Sequence, residues 1–527
     1  MKLERLQEYV LPVVVTLLGM GFAVYTGSLM GQGRFSTVAL LLGLLFMGFL
    51  TLIMRQYIWL LIIVAWPWPG SIPVLPVPFA VRDLGVMAAA VSFLALMALK
   101  IARRRPGYGI VDVSLAVLLI YMLTVLIRNP VGFLSTNSFR VGGRPYFNIA
   151  IACAAYFVLS RASIPVRSGA KLIIFTILAS NYVVATLNII ADLSPRAARV
   201  LVGFYTGLAV DMDVDGGPPR LAPGEAVERL SYLGNIGIPT SMALASFYRP
   251  LTLVNPLYLT RFLALALCAV CVMLSGFRSS VLAVAAFILI ATYLRSGWTE
   301  IVRLLVVCFF GLILAVAGQG QLYDLPLSVQ RSLSFLPGKW SPVAKASADE
   351  STEWRLTMWK QMLSSNKYIQ SRLFGDGFGV TKRDMAIIAM LSSRPGDSQE
   401  TIMILGTVHS GPISTIRVAG YVGLVLHLAL LALLARKAWE LVRKSANTPF
   451  HPLAFFFGLP LIYEPFNYVF IFGGFDSSVP AAIYGLATLK LLENSVDDFR
   501  GTGVEAEPVS HRRIADPERM LAGAPRA

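Results

Sequence analysis

Long apolar runs separated by short polar stretches recur from one end of the chain to the other. Each run is close to 20 residues long, which is the length of helix that crosses the hydrocarbon core of a bilayer. Lipid offers the backbone no hydrogen-bond partners, so each run must be helical. The pattern predicts an all-α polytopic membrane protein with about 12–14 transmembrane helices. The predicted spans lie near residues 9–28, 37–54, 57–80, 83–99, 109–127, 146–163, 169–191, 232–248, 259–275, 279–294, 301–318, 413–435, 452–473 and 478–492.

The composition agrees with a membrane protein and excludes an ordinary soluble enzyme. Hydrophobic residues make up 56% of the 527 residues and charged residues only 14%, and the mean hydropathy is +0.68. The first apolar run follows MKLERLQEY, which carries acidic residues, and no small-residue cleavage pattern ends it. We therefore do not expect a cleavable signal peptide. All four cysteines fall in apolar runs, where we expect small hydrophobic side chains and no disulfide framework.

Basic residues predict the orientation of the spans, because Lys and Arg near span ends stay on the cytoplasmic side. They favour a cytoplasmic N-terminus, which places the two largest loops, near 193–231 and 319–405, on the outer face. The net charge of +16 is explained by inner-face Lys and Arg close to anionic lipid, so we expect no nucleic-acid partner. The predicted organisation is N-terminal spans in 1–230, further spans in 231–318, a large outer loop in 319–412, C-terminal spans in 413–492 and a disordered cytoplasmic tail in 493–527.

One arginine interrupts the apolar pattern on the outer side. The stretch SGFRSS places Arg278 between two spans with almost no loop. A lone interfacial arginine usually extends its side chain to the lipid headgroups. Outer-face arginines are disfavoured by topology, however, and Gly276, Ser279 and Ser280 form a small, polar neck around this one. We therefore expect a functional role for Arg278.

The large outer loop contains a predicted amphipathic helix. In STEWRLTMWKQML, Trp354, Met358 and Met362 recur at helical spacing. Asp349 or Ser351 is predicted to cap the start of the helix, and its apolar face is predicted to lie on the bilayer surface. The FGDGFG stretch that follows is a tight glycine turn, and it lacks the Lys and Ser/Thr of a phosphate-binding loop.

Two further polar residues of this region bear on function. Arg355 lies in the first turns of the predicted helix, and His409 lies where the loop returns to the membrane. Taken alone, Arg355 is most simply solvated or paired with Glu353. Together with Arg278, these residues on a hydrophobic platform suit a reaction on a lipid-borne diphosphate. Arginine binds oxygen-rich anions through a paired, permanently charged fork, and histidine accepts a proton at neutral pH.

Three motifs occur in a fixed order: SGFRSS between two spans, TEWRLTMW followed by RLFGDGFG in the outer loop, and VHSGPISTIRVAGYVGL at the start of the next span. In their order, spacing and topology they resemble the O-antigen ligase and O-antigen polymerase superfamily of bacterial envelope glycosyltransferases. The resemblance covers roughly residues 230 to 440. Ser410 stands where the family usually has Asn, and Phe277 stands where it often has Ser.

The resemblance implies a GT-C-like membrane glycosyltransferase in the bacterial inner membrane, with its active site on the periplasmic side. The donor would be a glycan on undecaprenyl diphosphate, and the acceptor would be a hydroxyl of a glycolipid or glycan, with membrane lipids around both. Arg278 and Arg355 would hold the diphosphate, and His409 would remove the acceptor proton. The transfer would be inverting and metal-independent, and it would need no cofactor.

Other residues are weaker candidates for substrate contacts. Trp354 accompanies Arg355, and Arg140 and Arg144 occur in NSFRVGGRPYFN on the same outer face. Interfacial anchoring explains these two arginines about as well. The chain lacks the paired His, Asp and Glu spacing of a catalytic metal site, and the acidic stretch DMDVDG is better explained as a solvated loop.

The sequence leaves other functions open. A transporter or flippase for lipid-linked sugars would explain the number of spans and the third span, which prolines break, although no matching broken helix occurs in a second half. A scaffold of an envelope export complex would tolerate substitutions at the candidate residues. Within the enzyme interpretation, a ligase uses a lipid A-core acceptor, whereas a polymerase of O-antigen or exopolysaccharide repeats uses the end of another lipid-linked repeat.

Overall fold

The structure is a computed structural model, and it describes residues 16, 19–73, 79–99, 107–131, 142–166, 169–208, 229–379, 398–406 and 408–501. These residues form helices and two isolated β-bridges, and they contain no β-strand. The α-helices are 19–31 (α1), Phe35–Met54 (α2), Trp59–Ala65 (α3), Val81–Ala98 (α4), Ile110–Arg128 (α5), Arg144–Leu159 (α6), Ala170–Leu193 (α7), Pro195–Phe204 (α8), Gly234–Phe247 (α9), Pro250–Leu253 (α10), Leu259–Leu274 (α11), Arg278–Ser296 (α12), Trp298–Gly318 (α13), Leu327–Leu333 (α14), Pro342–Ser364 (α15), Ser398–Leu405 (α16), Gly411–Lys444 (α17), His451–Phe466 (α18) and Phe475–Gly501 (α19).

Seven helices of the described residues are long and apolar enough to cross a membrane. They are α4, α5, α7, α12, α13, α17 and the stretch His451–Ile471, in which a π-helical turn continues α18. Two more helices, α6 and α11, are apolar but shorter. The prediction of an all-α polytopic membrane protein is confirmed. Spans in lipid are helical because a helix satisfies the hydrogen-bonding groups of its own backbone.

The chain divides into two compact units. The first comprises residues 1–58 and 91–102, and within it the hydroxyls of Thr51 and Ser92 lie 2.6 Å apart. This hydrogen bond pairs two polar side chains of apolar helices, as expected where water is scarce.

The second unit comprises residues 59–90 and 103–527. Its centre is α17, which packs against α5, α18 and α19. Around it, α19 packs against α6, and α9 packs against α7, α11, α12 and α18. Small residues allow some of these close approaches: a Cβ added at Gly237 of α9 would lie 2.8 Å from the carbonyl oxygen of Cys268 on α11.

The last helix extends further than predicted. An ion pair joins Glu493 of α19 to Lys437 (2.7 Å), and another joins Asp497 to Lys444 (2.7 Å). Residues 493–501, assigned from the sequence to a disordered tail, are therefore helical. The local composition of this segment did not predict the extension, because the basic residues that pair with its acidic side chains lie on α17. Residues 502–527 lie outside the described residues.

The third predicted span does not form one helix. α3 ends at Ala65, and the chain then turns back so that Ser71 and Ala80 form an antiparallel bridge. Pro67 and Pro69 explain the end of the helix, because proline lacks the amide hydrogen of the helical ladder and clashes with a preceding carbonyl.

The predicted orientation places Lys360 of α15 and Glu440 of α17, both exposed, on opposite sides of the membrane. In cells with a permeabilised outer membrane, Lys360→Cys should react with a membrane-impermeant maleimide, whereas Glu440→Cys should react only after lysis. The parent protein with its four native cysteines serves as the control for background labelling. Labelling of Glu440→Cys before lysis would show that the predicted topology is reversed.

Candidate functional site

The helix α15 is the scaffold of the candidate site. It begins at Pro342, with Ser341 at the N-cap, so the predicted start at Asp349 or Ser351 was wrong. Proline suits the first helical position, because its φ is already helical and an amide at that position has no partner within the helix. The helix is therefore longer at its start than the capping residues suggested.

The predicted apolar face of α15 is covered by protein. Met358 and Met362 are 1% and 0% exposed, and they pack in one cluster with Val408 and Ile413. The indole of Trp359 donates a hydrogen bond to the carbonyl of Val408 (3.0 Å). The expected helix on the bilayer surface is thus packed against the start of α17. Burial of each methionine contributes roughly 1.5–3 kcal/mol to this docking.

Two arginines bind the first half of α15. Arg278, the first residue of α12, donates through Nη2 to the carbonyl of Ala348 (2.5 Å). Arg331 of α14 is 4% exposed, and it donates to the carbonyl of Gly276 (2.6 Å) and to the hydroxyl of Ser347 (3.1 Å). These bonds fix both guanidinium groups beside α15.

Four arginines interact electrostatically here, and we call them the arginine cluster: Arg229, Arg278, Arg331 and Arg355. Burial and the three neighbouring charges lower the pKa of Arg331 to about 10. Burial and the charges of Arg278 and Arg229 also lower the pKa of Arg355, and burial lowers that of Arg229, whose guanidinium lies 5.8 Å from the ring centre of Phe277. The guanidinium group of arginine is permanently charged in proteins, so the arginine cluster concentrates positive charge.

Within the described part of the chain, no carboxylate forms an ion pair with a member of the arginine cluster. The Nε of Arg355 is also buried without a hydrogen-bond partner among those residues. Like charges held together in a partly buried place destabilise one another, and an oxygen-rich anion would relieve this repulsion. The arrangement is therefore suited to binding a multiply charged anion.

Two members of the arginine cluster, Arg229 and Arg331, were not singled out in the sequence. Arg331 lies in SVQRSLSF, within the predicted outer loop. The argument applied to Arg278, that basic residues are disfavoured on the outer face, applies equally to Arg331 and would have identified it. No local pattern marks Arg229.

His409 lies between two aromatic rings. Its ring stacks on Phe472 at 5.0 Å and lies 6.2 Å from that of Trp354, the residue before Arg355 on α15. His409 has a φ of 53°, an uncommon conformation for a residue with a side chain, and it directly precedes Ser410 at the N-cap position of α17. The structure therefore brings Arg278, Trp354, Arg355 and His409 together along one helix.

The helix that follows His409 is broken within the membrane span. At Gly420 the backbone leaves the helical conformation (φ 69°, ψ −175°). The amides of Tyr421 and Val422 donate instead to the carbonyls of Arg372 (2.8 Å) and Leu373 (3.2 Å). In lipid these groups would have no water to bind, so the glycine turn of the outer loop supplies their partners.

The same turn is attached to α17 on the other side of the break. The amides of Asp376 and Gly377 donate to the carbonyls of Arg417 and Val418 (both 2.9 Å). The buried guanidinium of Arg417 donates in return to the carbonyls of Gly377 (2.8 Å) and Ile404 (3.1 Å). FGDGFG, predicted only as a tight turn, is therefore the joint between the outer loop and α17.

Arg144 lies outside this arrangement. It forms an ion pair with the buried carboxylate of Asp83, and its guanidinium lies 4.9 Å from the ring centre of Phe147. These contacts give Arg144 a structural role within its own helix pair. Arg140 lies outside the described residues.

Residues 263–428 match the family model described as O-antigen ligase. This segment is similar to O-antigen ligases. The resemblance drawn from the motifs is thereby confirmed for the segment that carries them. No curated protein matches the chain.

The matched segment contains most of the candidate site. Arg278, Arg331, Arg355 and His409 all lie in the matched segment, as does the helix break. Arg229 precedes the segment and Phe472 follows it. The matched segment therefore supplies three of the four arginines, the histidine and Trp354, and the rest of the chain supplies Arg229 and Phe472.

The described residues hold no group of three His, Cys, Asp or Glu side chains that could bind a metal ion. The acidic stretch DMDVDG lies outside those residues. The metal-independent mechanism therefore stays a prediction.

Gly420→Ala should destabilise the protein. A Cβ there would lie 2.2 Å from the carbonyl oxygen of Leu373, at a φ that disfavours side chains. We expect a loss of about 1–3 kcal/mol and a lower melting temperature in detergent. Gly311→Ala on α13 is the matched control, since its added Cβ meets nothing within 4 Å. Equal melting temperatures for the two variants would contradict the role of the break.

Proposed function

We propose that the protein is a membrane glycosyltransferase of the O-antigen ligase type. It transfers a glycan from an undecaprenyl-diphosphate-linked donor to an acceptor hydroxyl at the periplasmic face of the bacterial inner membrane. The observation that carries the proposal is the arginine cluster without a carboxylate partner in the described residues, held by α15 next to His409. The family match of residues 263–428 supports the same class of reaction.

The arginine cluster is the proposed site of the donor diphosphate. Arg278 and Arg355 donate to its oxygens through their guanidinium forks, and Arg331 and Arg229 add positive charge around it. As charge develops on the leaving diphosphate, these fixed cations stabilise it without rearranging. A partly buried site strengthens the effect, because the local dielectric is lower than that of water.

His409 is the proposed general base. The acceptor hydroxyl oxygen attacks the anomeric carbon of the donor from the face opposite the diphosphate. The new carbon–oxygen bond forms while the bond to the diphosphate oxygen breaks, and its electron pair leaves with the diphosphate. The hydroxyl proton passes to a ring nitrogen of His409. This single displacement inverts the configuration at the anomeric carbon, and no step requires a metal ion.

The acceptor distinguishes a ligase from a polymerase. A ligase would use a hydroxyl of lipid A-core, and a polymerase would use the end of another lipid-linked repeat. Mass analysis of the glycolipids in a deletion strain separates the two. Long polymer retained on undecaprenyl diphosphate indicates a ligase, and single repeats indicate a polymerase.

His409→Ala should lower glycosyl transfer by roughly 100-fold or more, the usual effect of losing a general base. Binding of the donor should persist, since the arginine cluster is untouched. His451→Gln is the control: that ring bonds Ser445 (3.1 Å), away from the cluster, and its loss should leave transfer unchanged. Transfer is measured in detergent with a chelator present. Wild-type turnover by His409→Ala, or a strict requirement for a divalent cation, would overturn this mechanism.

Arg278→Lys and Arg355→Lys should each weaken donor binding by about 10- to 100-fold, the scale of a lost charged hydrogen bond. Lysine keeps the charge but cannot present two parallel donors to a phosphate. The measurement is the dissociation constant of undecaprenyl diphosphate. Arg303→Lys on α13 is the matched control, because Arg303 is exposed and paired with Glu300 (2.8 Å). Unchanged binding in both cluster variants would place the diphosphate elsewhere.

A further inference from the structure

A polar cavity lies at the start of α19. Its volume is about 620 Å³, within the range of about 300–1,000 Å³ that is typical of small-molecule sites. Its polar lining comes from four parts of the chain. These are the start of α4 with Arg82, α6 with Asn148, the segment after α8 with Thr206, and the first turn of α19 with Asp476 and Ser477. We call this space the polar cavity.

His409 connects the arginine cluster to the polar cavity. On one side its ring lies 6.2 Å from Trp354, the neighbour of Arg355. On the other side it stacks on Phe472 at 5.0 Å, four residues before Asp476 of the cavity wall. Four residues of fully extended chain span about 14 Å at most, so the wall begins within that distance of Phe472. His409 thus contacts a residue next to Arg355 on one side and, on the other, a residue four positions before the cavity wall.

The wall of the polar cavity is held in place by hydrogen bonds. The amide of Phe475 donates to the hydroxyl of Ser414 (3.1 Å), which fixes the start of α19 to the first turn of α17. The amide of Ser71, in the segment between α3 and α4, donates to the hydroxyl of Thr206 (2.9 Å), which joins that segment to the one after α8. Hydrogen bonds within the chain therefore position both parts of the wall.

The charges around the polar cavity balance, unlike those of the arginine cluster. Asp83 has a fully buried side chain that pairs with Arg144 and lies 3.7 Å from Arg82. Asp476 adds a second carboxylate to the wall. Among the described residues of the wall, Arg82 and Asp476 are thus one charge of each sign, and the Asp83–Arg144 pair lies outside the lining. The wall has no excess positive charge that would stabilise a diphosphate, so a neutral polar ligand fits better.

The hydrogen-bonding groups of the cavity point to a saccharide. The Oδ1 of Asn148 is buried and has no partner in the described part of the chain, so it is available to accept from a ligand hydroxyl. Thr206 and Ser477 carry exposed hydroxyls, which both donate and accept. Sugar hydroxyls also do both, and they therefore match a wall that mixes donors with acceptors.

We infer that the polar cavity binds the saccharide end of the acceptor and presents its hydroxyl to His409, while the arginine cluster holds the donor. The inference rests on the proposed function and adds the place of the second substrate. Lipid A-core and a lipid-linked repeat share this saccharide chemistry, and both serve as acceptors in the test.

Two variants test the inference. Ser477→Trp fills the polar cavity from an exposed position, and Asn148→Leu removes the available acceptor at nearly the same volume. Both should raise the KM for the acceptor by about 10-fold or more, with kcat at saturating acceptor and the dissociation constant of undecaprenyl diphosphate unchanged. Ser28→Trp, at an exposed position of α1, is the matched control and should behave as wild type.

The outcomes separate the two proposals. Donor binding like that of wild type shows that a variant is folded, and a raised acceptor KM then supports the inference. If the acceptor KM is unchanged in both variants while the wild-type protein is active, the inference that the cavity binds the acceptor is overturned and the proposed function stays intact. Absence of transfer by wild-type protein with either acceptor would overturn the proposed function and the inference together.

Discussion

A helix inside a membrane has no water to bind its backbone, and this constraint decides how the outer loop is attached to the transmembrane core. α17 leaves helical geometry at Gly420, and the glycine turn around Gly375 approaches it closely. A Cβ added at either glycine would lie within 2.3 Å of the backbone of the other segment. α17 starts at Gly411, two residues after His409. The helix break, the end of the outer loop and His409 therefore all lie in the first part of α17 or directly before it. α15 packs against the same end of α17.

The arginine cluster is positioned by neutral partners. Carbonyl groups of Ala348 and Gly276 and the hydroxyl of Ser347 hold Arg278 and Arg331, where carboxylates would have neutralised them. The cost is visible in the lowered pKa of the buried guanidinium groups. Such a cluster is costly in the empty protein and becomes favourable when an anion binds. A site that held its arginines with carboxylates would be more stable alone and would bind a diphosphate less well.

Two chemically different places flank His409. On the side of Trp354, positive charge has no carboxylate partner in the described residues, and on the side of Phe472 the cavity wall balances arginine with aspartate. The proposed displacement between two sugars would use this asymmetry. The leaving diphosphate carries charge that must be stabilised, whereas the attacking saccharide is neutral and needs only orientation and a base.

The sequence by itself determined the membrane class, because the length and apolarity of a span are local properties that lipid selects directly. The order of three motifs also brought Arg278, Arg355 and His409 into one hypothesis before their proximity was visible. Only the tertiary structure decided which other groups join them. Arg331 enters the cluster and Arg144 pairs with an aspartate because each meets a helix that is distant in the chain. Helix packing, which places such residues together, is not encoded in period or composition.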